Sequence, residues 1–340
     1  MRFGIDLAKS VIQVHGVDAR GNVVVRRQLR RDQVVKFFSK QPPALIGMEA
    51  CGSAHYWGRE LSGLGHDPRL MPAAYVKAYL KRGKNDARDA EASCEAVCRP
   101  TMRFVAIKSV EQQCGRAIER ARDLLVRQRT QHANAIRGML YEMGLTASKG
   151  AGGIAALLQR IESSDAAIPP ALLQALAPLA RQWRAADAEV AALDKQILAL
   201  VRENPAARRL MTIPGVGPLT AHAVVAAIGD GRQFSTARDF AAWVGLTRFN
   251  HDTGGKVQLT GRISKAGDRG LRKLLVLGAS SWLRQVRAPG RTTYPAGSAW
   301  IRGVLARRPV RVAVVAQAAK TARIVWAVLT SGEAYRAPAA

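Results

Sequence analysis

The sequence predicts an α/β domain followed by an all-α remainder, and three observations predict it. Short apolar runs with strand-like alternation are confined to the first hundred residues. Long helical patterns follow, and a glycine-punctuated, strongly basic segment closes the chain. A length of 340 residues accommodates two or three domains, and 48% hydrophobic with 23% charged residues is ordinary for a globular protein.

In chain order, "MRFGIDLA" and "SVIQVHGVD" read as strands, "DARG" at 18–21 as a turn, and "NVVVRRQL" as a third strand, together an antiparallel meander. The run "ALIGME" at 44–49 is a fourth strand leading through "ACGSA" into a helix around 55–63, and "PRLMP" is one further strand. Two helices are expected near 73–82 and 86–98. This first domain is set at 1–106.

A long-helix region is set at 107–204. The stretch from Val110 to Gly144 carries no proline and repeats Ile118, Leu125, Ile136 and Leu140 at near-helical spacing. A glycine-rich break, "SKGAGGI", precedes a second long pattern that begins after "IPP". Two antiparallel helices, a dimerising coiled coil and an ordinary bundle core all fit these stripes. The third domain, 205–340, is markedly basic: from Arg262 onward there are 15 Lys and Arg against two acids, Asp268 and Glu333.

The formal net charge is +27 and the pI near 11.1. Such a surface calls for a polyanion, because each phosphate met by Lys or Arg releases condensed counterions. Nucleic acid is the leading partner class. No apolar run is read as reaching the ~18 to 20 residues that span a bilayer, and "MRFGIDLAKS" lacks the apolar core of a signal peptide. A membrane is therefore not expected as a partner, and the expected compartment is the cytoplasm. Cys51, Cys94, Cys98 and Cys114 form no Cys-x-x-Cys pair, so reduced, buried thiols and no structural zinc are expected.

Against that charge, "GKNDARDAEASCEAVCRP" holds Asp86 and Asp89 close together, flanked by Lys81, Arg82, Lys84 and Arg88. At i and i+3 the two carboxylates share a helical face. Asp6 follows the apolar "FGI" of the first strand and Glu49 ends the fourth, so both stand at a sheet rim. Taken singly, Asp86 could be a helix N-cap and Asp89 a salt-bridge partner of Arg88 or Lys84. The order strand-Asp, strand-Glu, helix-Asp-x-x-Asp instead suits a pair of Mg²⁺ ions, or Mn²⁺, in phosphodiester chemistry, with hard oxygen ligands only. Lys84 and Arg88 would then clamp phosphate.

"IPGVGPLTA" at 213–221 has the pattern of a helix-hairpin-helix turn: Gly215 and Gly217 would let backbone N–H groups approach phosphate before the next helix. A plain inter-helix glycine turn is the competing reading. Downstream, "GLTRFNHDTGGKVQLTGRISKAGDRGLRKLL" combines a polar, glycine-rich loop carrying Thr253 and Lys256 with Arg262 and a basic helix beginning near Ser264. Lys265, Arg269, Arg272 and Lys273 make one stripe of that helix.

Taken together, "GIDLAK", "GMEACGS", "NDARDAEASCEAV", a helical insert, "IPGVGPLTA" and "GLTRFNHDTGGKVQLTGRISKAGD" resemble the DEDD-type insertion-sequence transposases. This is the insertion sequence family one-ten with its eleven-eleven subgroup, to which the Piv-type DNA invertases are related. The resemblance spans nearly the whole chain. It implies a RuvC-like RNase H fold carrying metal-binding Asp6, Glu49, Asp86 and Asp89, a helical coiled-coil insert, and a C-terminal transposase domain with a nucleophilic serine. It further implies a bridge or seeker RNA as a non-coding guide, double-stranded donor and target DNA, a dimer pairing into a tetramer, and a bacterial, nucleoid-associated protein.

One departure stands out: where the family's loop carries serine, this sequence has Thr253. Threonine keeps the hydroxyl but adds a methyl that restricts χ1. A threonine nucleophile, a slowed enzyme and an altered serine parent all fit; Thr260 and Ser264 match the motif position less well. The expected function is RNA-guided DNA recombination through a covalent hydroxyl–phosphate link. A hydrolytic RuvC-like junction nuclease and a non-catalytic nucleic-acid-binding protein are the alternatives.

Overall fold

The computed structural model describes residues 1–80, 85–254, 256–288, 295 and 297–337, with backbone only for 250–253 and 256–261. The chain forms two compact units, Met1–Glu111 and Gln112–Ala340.

The first unit is a five-stranded mixed sheet. Strands β1 (Arg2–Leu7), β2 (Val11–Val17) and β3 (Val23–Arg30) form the expected antiparallel meander, and β4 (Leu45–Glu49) and β5 (Asp67–Met71) add in parallel, giving the order β3-β2-β1-β4-β5. Period-two alternation sorts the faces. Phe3, Ile5, Ile12, Val14, Ile46 and Met48 bury against α1 (Arg31–Phe38) and α2 (Ala54–Gly63) through Phe38, Trp57 and Leu61. The opposite face takes α4 (Asp86–Ala96).

Two local expectations are corrected here. Helix α1, absent from the sequence reading, is short and is fixed by its own N-terminus, where the Arg30 N–H donates to Gln33 Oε1 at 2.9 Å. The helix expected over 73–82 is α3 (Ala73–Val76) followed by a 3-10 turn, Lys77–Tyr79.

In the second unit α5 (Val110–Tyr141) and α7 (Pro170–Glu203) run antiparallel: Arg122 pairs with Asp194 and Arg129 with Asp187. The segment expected as a break instead starts α6 (Ala151–Glu162), whose Ile154, Leu157, Leu158 and Ile161 close a core with Ile136, Leu140 and Leu176. A larger core joins α8 (Pro205–Leu210), α9 (Pro218–Ile228), α10 (Ala237–Val244), α11 (Arg269–Val286) and α13 (Val310–Ser331), with α12 (Ala299–Leu305) packed alongside; β6 (Arg248–Thr253) and β7 (Lys256–Ile263) form a hairpin.

Helix α13 changes one premise of the membrane reading, that no apolar run reaches spanning length. Its 22 residues are long and apolar enough by composition to cross a bilayer. Its apolarity has a local cause: Ala318, Ala322, Val325, Val328 and Leu329 lie in the largest core, packed on from several sides. The cysteines also differ from expectation. All four are free, but only Cys94 is buried, and burial pushes its thiol up to about 11.

Candidate metal centre and the β6–β7 hairpin

Strands β1 and β4 are parallel neighbours with Ile5 opposite Met48, so Asp6 and Glu49, each one residue later, stand at adjacent C-terminal strand ends. Two residues before each acid, on the same face, is a glycine: Gly4 and Gly47. A Cβ on Gly4 would lie 2.0 Å from the Ala90 carbonyl oxygen and 2.3 Å from the Cys94 nitrogen. One on Gly47 would lie 2.6 Å from the Ser93 oxygen. The backbone of α4 therefore rests directly on the backbones of β1 and β4.

That contact brings the first turn of α4 to the level of Asp6. Asp6, Asp86 and Asp89 each offer a carboxylate oxygen within 4.8 Å of the others. Asp89 is 8% exposed and Asp86 exposed. The helix N-cap is Asn85, whose side chain accepts from the Arg88 N–H at 2.9 Å, so neither aspartate is needed as the cap. Glu49 stands one strand over. The Cys51 thiol, on an exposed residue, is pushed above its ordinary value by partial desolvation and then by the Glu49 and Asp6 charges, so both carboxylates bear on the same thiol.

Three converging carboxylates repel one another unless a cation lies among them. A donor set of hard oxygens, with no imidazole or thiolate in it, fits Mg²⁺ or Mn²⁺.

In the second unit the segment expected as a loop is the β6–β7 hairpin. Thr253 is the last residue of β6 and pairs with Lys256 across the turn, where Gly254 has φ +57° and a Cβ placed on it would meet nothing among the described residues within 4 Å. The hairpin root is tightly held. Gly245 and Gly267 adopt φ +80° and +66°, and a Cβ on either would strike backbone, the Ala266 oxygen at 2.3 Å and the Trp243 oxygen at 1.7 Å. The Ser264 N–H donates to Thr247 O and the Lys265 N–H to Gly245 O.

Comparison with known proteins decides the family. Residues 3–144 match the family DEDD_Tnp_IS110, described as "Transposase", and residues 207–295 match "Transposase IS116/IS110/IS902 family". The chain is 48% identical to a probable family 20 transposase of Pseudomonas aeruginosa, over 98% of both chains. It is 46% identical to a putative transposase, y4pF/y4sB, of Sinorhizobium fredii, over 99% of this chain and 86% of the relative. It is 39% identical to the transposase for insertion sequence element IS1111A of Coxiella burnetii, over 98% and 90%. The chain belongs to the IS110 family of insertion-sequence transposases. Membership implies DNA cleavage and joining, and the acidic cluster fits the divalent-metal dependence general to DEDD transposases.

The remaining residues singled out in the transposase sequence fall into distinct settings. Lys84 lies outside the described residues, and for Lys256 only backbone is described. Arg262 and Arg269 are exposed. Helix α11 begins at Arg269, because the Asp268 side chain accepts from the Leu271 N–H and caps it. Lys265 is therefore not on the helical stripe; it lies before the helix with φ +55°. Arg272 donates to the carbonyls of Val244 and Ala266, tying α11 to the hairpin root, and Lys273 pairs with Asp123 at 2.7 Å.

The two hairpin-turn glycines also separate. Gly215, at φ +83°, is packed against Gly278 of α11, where a Cβ would lie 2.7 Å from the Gly278 oxygen. Gly217 leads into α9 with nothing among the described residues within 4 Å of its Cβ position.

Several contributors have no local signature. Arg116 pairs with Asp268 at 2.5 Å and with Glu119 at 2.6 Å, and Glu119 in turn meets His222 Nδ1 at 3.0 Å. This half-buried network ties the hairpin root to α5 and α9. Gly4 and Gly47 do have a signal, the "GID" and "GME" repeats that put glycine two residues before each rim acid.

Proposed function

We propose that this transposase is a metal-dependent, RNA-guided DNA recombinase that acts through a covalent protein–DNA link. The convergence of Asp6, Asp86 and Asp89 beside Glu49 is the observation that carries the reading. The strand order β3-β2-β1-β4-β5, with acids at two adjacent strand ends, supports a RuvC-like RNase H fold for the catalytic part, assigned to 1–106. The α8–turn–α9 segment supports a helix-hairpin-helix-like contact through the open Gly217. We assign 107–204 to assembly and 205–340 to the nucleophile.

Asp6, Glu49, Asp86 and Asp89 would hold a divalent cation, which when bound would supply charge neutralisation at the scissile phosphate. Thr253 Oγ attacks phosphorus as its proton passes to a base. The bond from phosphorus to the 3′-oxygen breaks, and that oxygen takes up a proton. A 5′-phosphothreonine and a free 3′-hydroxyl result, and attack by a partner strand's 3′-hydroxyl reverses the chemistry and releases Thr253. The broken phosphodiester's energy is conserved, so no nucleotide hydrolysis is required.

The surplus of positive charge suits a protein that holds backbone and shape while guide-RNA pairing selects the DNA sequence. The working assembly we propose is a dimer, or a tetramer of two dimers, acting on chromosomal DNA.

The test is covalent trapping: protein with co-purified RNA, end-labelled recombination-junction DNA and Mg²⁺, resolved under denaturing conditions. A resistant adduct lost in Thr253→Ala and reduced about a thousandfold in Asp86→Asn is expected. Metal-dependent cleavage without adduct, unchanged in Thr253→Ala, would replace this mechanism with hydrolysis by a junction nuclease. DNA binding unaffected by Asp86→Asn, with no cleavage by the native protein, would indicate a non-catalytic role.

A further inference from the structure

The sheet face that carries the acids continues beyond them. Gln13 is the β2 partner of Asp6, and Gln28 is the β3 partner of Gln13. Cross-strand partners share a face, so Gln28, Gln13 and Asp6 form one row running from the sheet edge to the acid cluster. A groove of about 360 Å³ lies along that row. It is bounded by Gln13, Arg26 and Gln28 from the sheet and by Asn85, Arg88 and Glu91 from α4.

Both walls are continuous with the acid site. Asn85 and Arg88 immediately precede Asp86 and Asp89 in the chain, and Gln13 sits beside Asp6. A strand whose phosphate lies among the three aspartates therefore has this groove as its next place of contact on the β2 side.

The chemistry of the lining selects a class of occupant. Gln13 Nε2 donates to Gln28 Oε1 at 3.3 Å. That bond uses one donor of Gln13 and one acceptor lone pair of Gln28, leaving the Gln13 carbonyl and the Gln28 amino group as a paired acceptor and donor. Such a pair matches the hydrogen-bonding edge of a nucleobase. Arg26 and Arg88 outnumber the one lining acid, Glu91, so the groove favours an anion; Arg27 lines it only through backbone, its guanidinium lying over Phe37 on the other sheet face. Its volume is at the small end of ligand sites, about 300 to 1,000 Å³, and suits one nucleotide unit.

We propose that this groove is a nucleotide subsite of the catalytic unit. It holds the nucleotide adjoining the scissile phosphate of a DNA strand, with Arg26 and Arg88 directed to its phosphate and Gln13 and Gln28 to its base edge. The subsite rests on the metal-dependent reading of the acid cluster and extends it from chemistry to strand placement. Gln13 and Gln28 are then positioning residues, which set where along the strand the phosphate meets the aspartates.

The test uses the full-length chain in Ca²⁺ with a DNA four-way junction carrying 4-thiothymidine at successive positions, followed by irradiation and peptide mapping. Crosslinks from one or two adjacent positions should map to the peptides carrying Gln13 or Gln28. The Gln13→Ala/Gln28→Ala double variant should lower that crosslink roughly fivefold, the equivalent of about one hydrogen bond. Total DNA retention and melting temperature should stay within error of the native chain.

Crosslinks that map elsewhere, that persist in the double variant, or that fail to form at every position would each overturn the subsite. Failure of the catalytic reading looks different: cleavage surviving Asp86→Asn, whatever the crosslinks show.

Discussion

The acid site and the β6–β7 hairpin are held by different balances of the same means. In the first unit, glycine creates the site by letting backbone meet backbone: α4 lies on β1 at Gly4 with only backbone in contact, and on β4 at Gly47 with the Val97 and Met71 side chains close beside it. In the second, Gly245 and Gly267 pack the root of the hairpin as closely, but much of the restraint comes from charge, through Arg272, Asp268 and the Arg116–Glu119–His222 chain. At the tip, no described residue comes within 4 Å of a Cβ placed on Gly254. A carboxylate cluster needs fixed short separations, which close packing provides. The nucleophile proposed for the hairpin needs a firm base and an open end.

The sharpest way to break this comparison is to fill the packing glycine. Gly4→Ala puts a methyl within 2.0 Å of the Ala90 oxygen, a backbone atom that cannot rotate away. Separation of α4 from the sheet should cost about 3 kcal/mol and move Asp86 and Asp89 away from Asp6. Urea unfolding together with Mn²⁺ titration checks both halves. A variant that unfolds like the native chain and keeps its metal affinity would show that α4 is not held by this contact.

The counterpart in the second unit is electrostatic. Asp268→Asn keeps the cap's shape but removes the charge facing Arg116, the two side chains being 15% and 17% exposed. A loss of about 2 kcal/mol is expected, because Arg116 retains Glu119 as a partner. Because the pair lies at the hairpin root, amide exchange should also quicken in β6 and β7 while the first unit keeps its rates. Uniform change in both units would mean that the network supports the fold at large and not the root.

How far these two regions can be read from sequence follows the same division. The acids are legible because their signals are local: strand alternation sets Asp6 and Glu49 at rims, and the i, i+3 spacing sets Asp86 and Asp89 on one face. The hairpin reads as a loop although "TGGK" is flanked by alternating residues, since polar and basic side chains along both strands mask the pairing pattern. The expected helix start at Ser264 is too early, because the cap that sets it is Asp268. The Arg116–Asp268 pair spans 152 residues, and no local pattern encodes a contact of that separation. Helix α6 is hidden by its glycines, whose low propensity is overridden by four buried aliphatic side chains.

A smaller effect sharpens the comparison within the first unit. His55, in the first turn of α2, is lowered to about 4 by burial and by the Lys108 and Arg59 charges, and its Nδ1 accepts from the Lys108 N–H. The unfolded chain, with histidine near 6.5, takes up that proton first as pH falls. Stability from neutral His55 is thus complete above about pH 6.5, declines as pH drops toward 4 and levels off below it. His55→Gln should flatten that part of the pH–stability curve, measured by urea midpoints at about pH 7, 6, 5 and 4. An unchanged slope would place the acid sensitivity in other groups.

The smallest expected effect concerns the surface beyond the hairpin, where charge has no packing role. Residues 306–312, between α12 and the first turn of α13, are all exposed and include Arg307, Arg308 and Arg311. No acid occurs anywhere from 269 to 332. If this corner meets phosphate, Arg308→Ala/Arg311→Ala should reduce the slope of log affinity against log salt by about 2, since each neutralised phosphate releases about 0.9 counterion. The loss should be the same for every DNA sequence tested, because phosphate contacts position a protein without reading bases. It should also leave the melting temperature unchanged, unlike Asp268→Asn, whose charge is engaged inside the fold. An unaltered salt slope would confine the DNA-facing charge of the second unit to the hairpin and α11, with Arg262 and Arg269 as its exposed members.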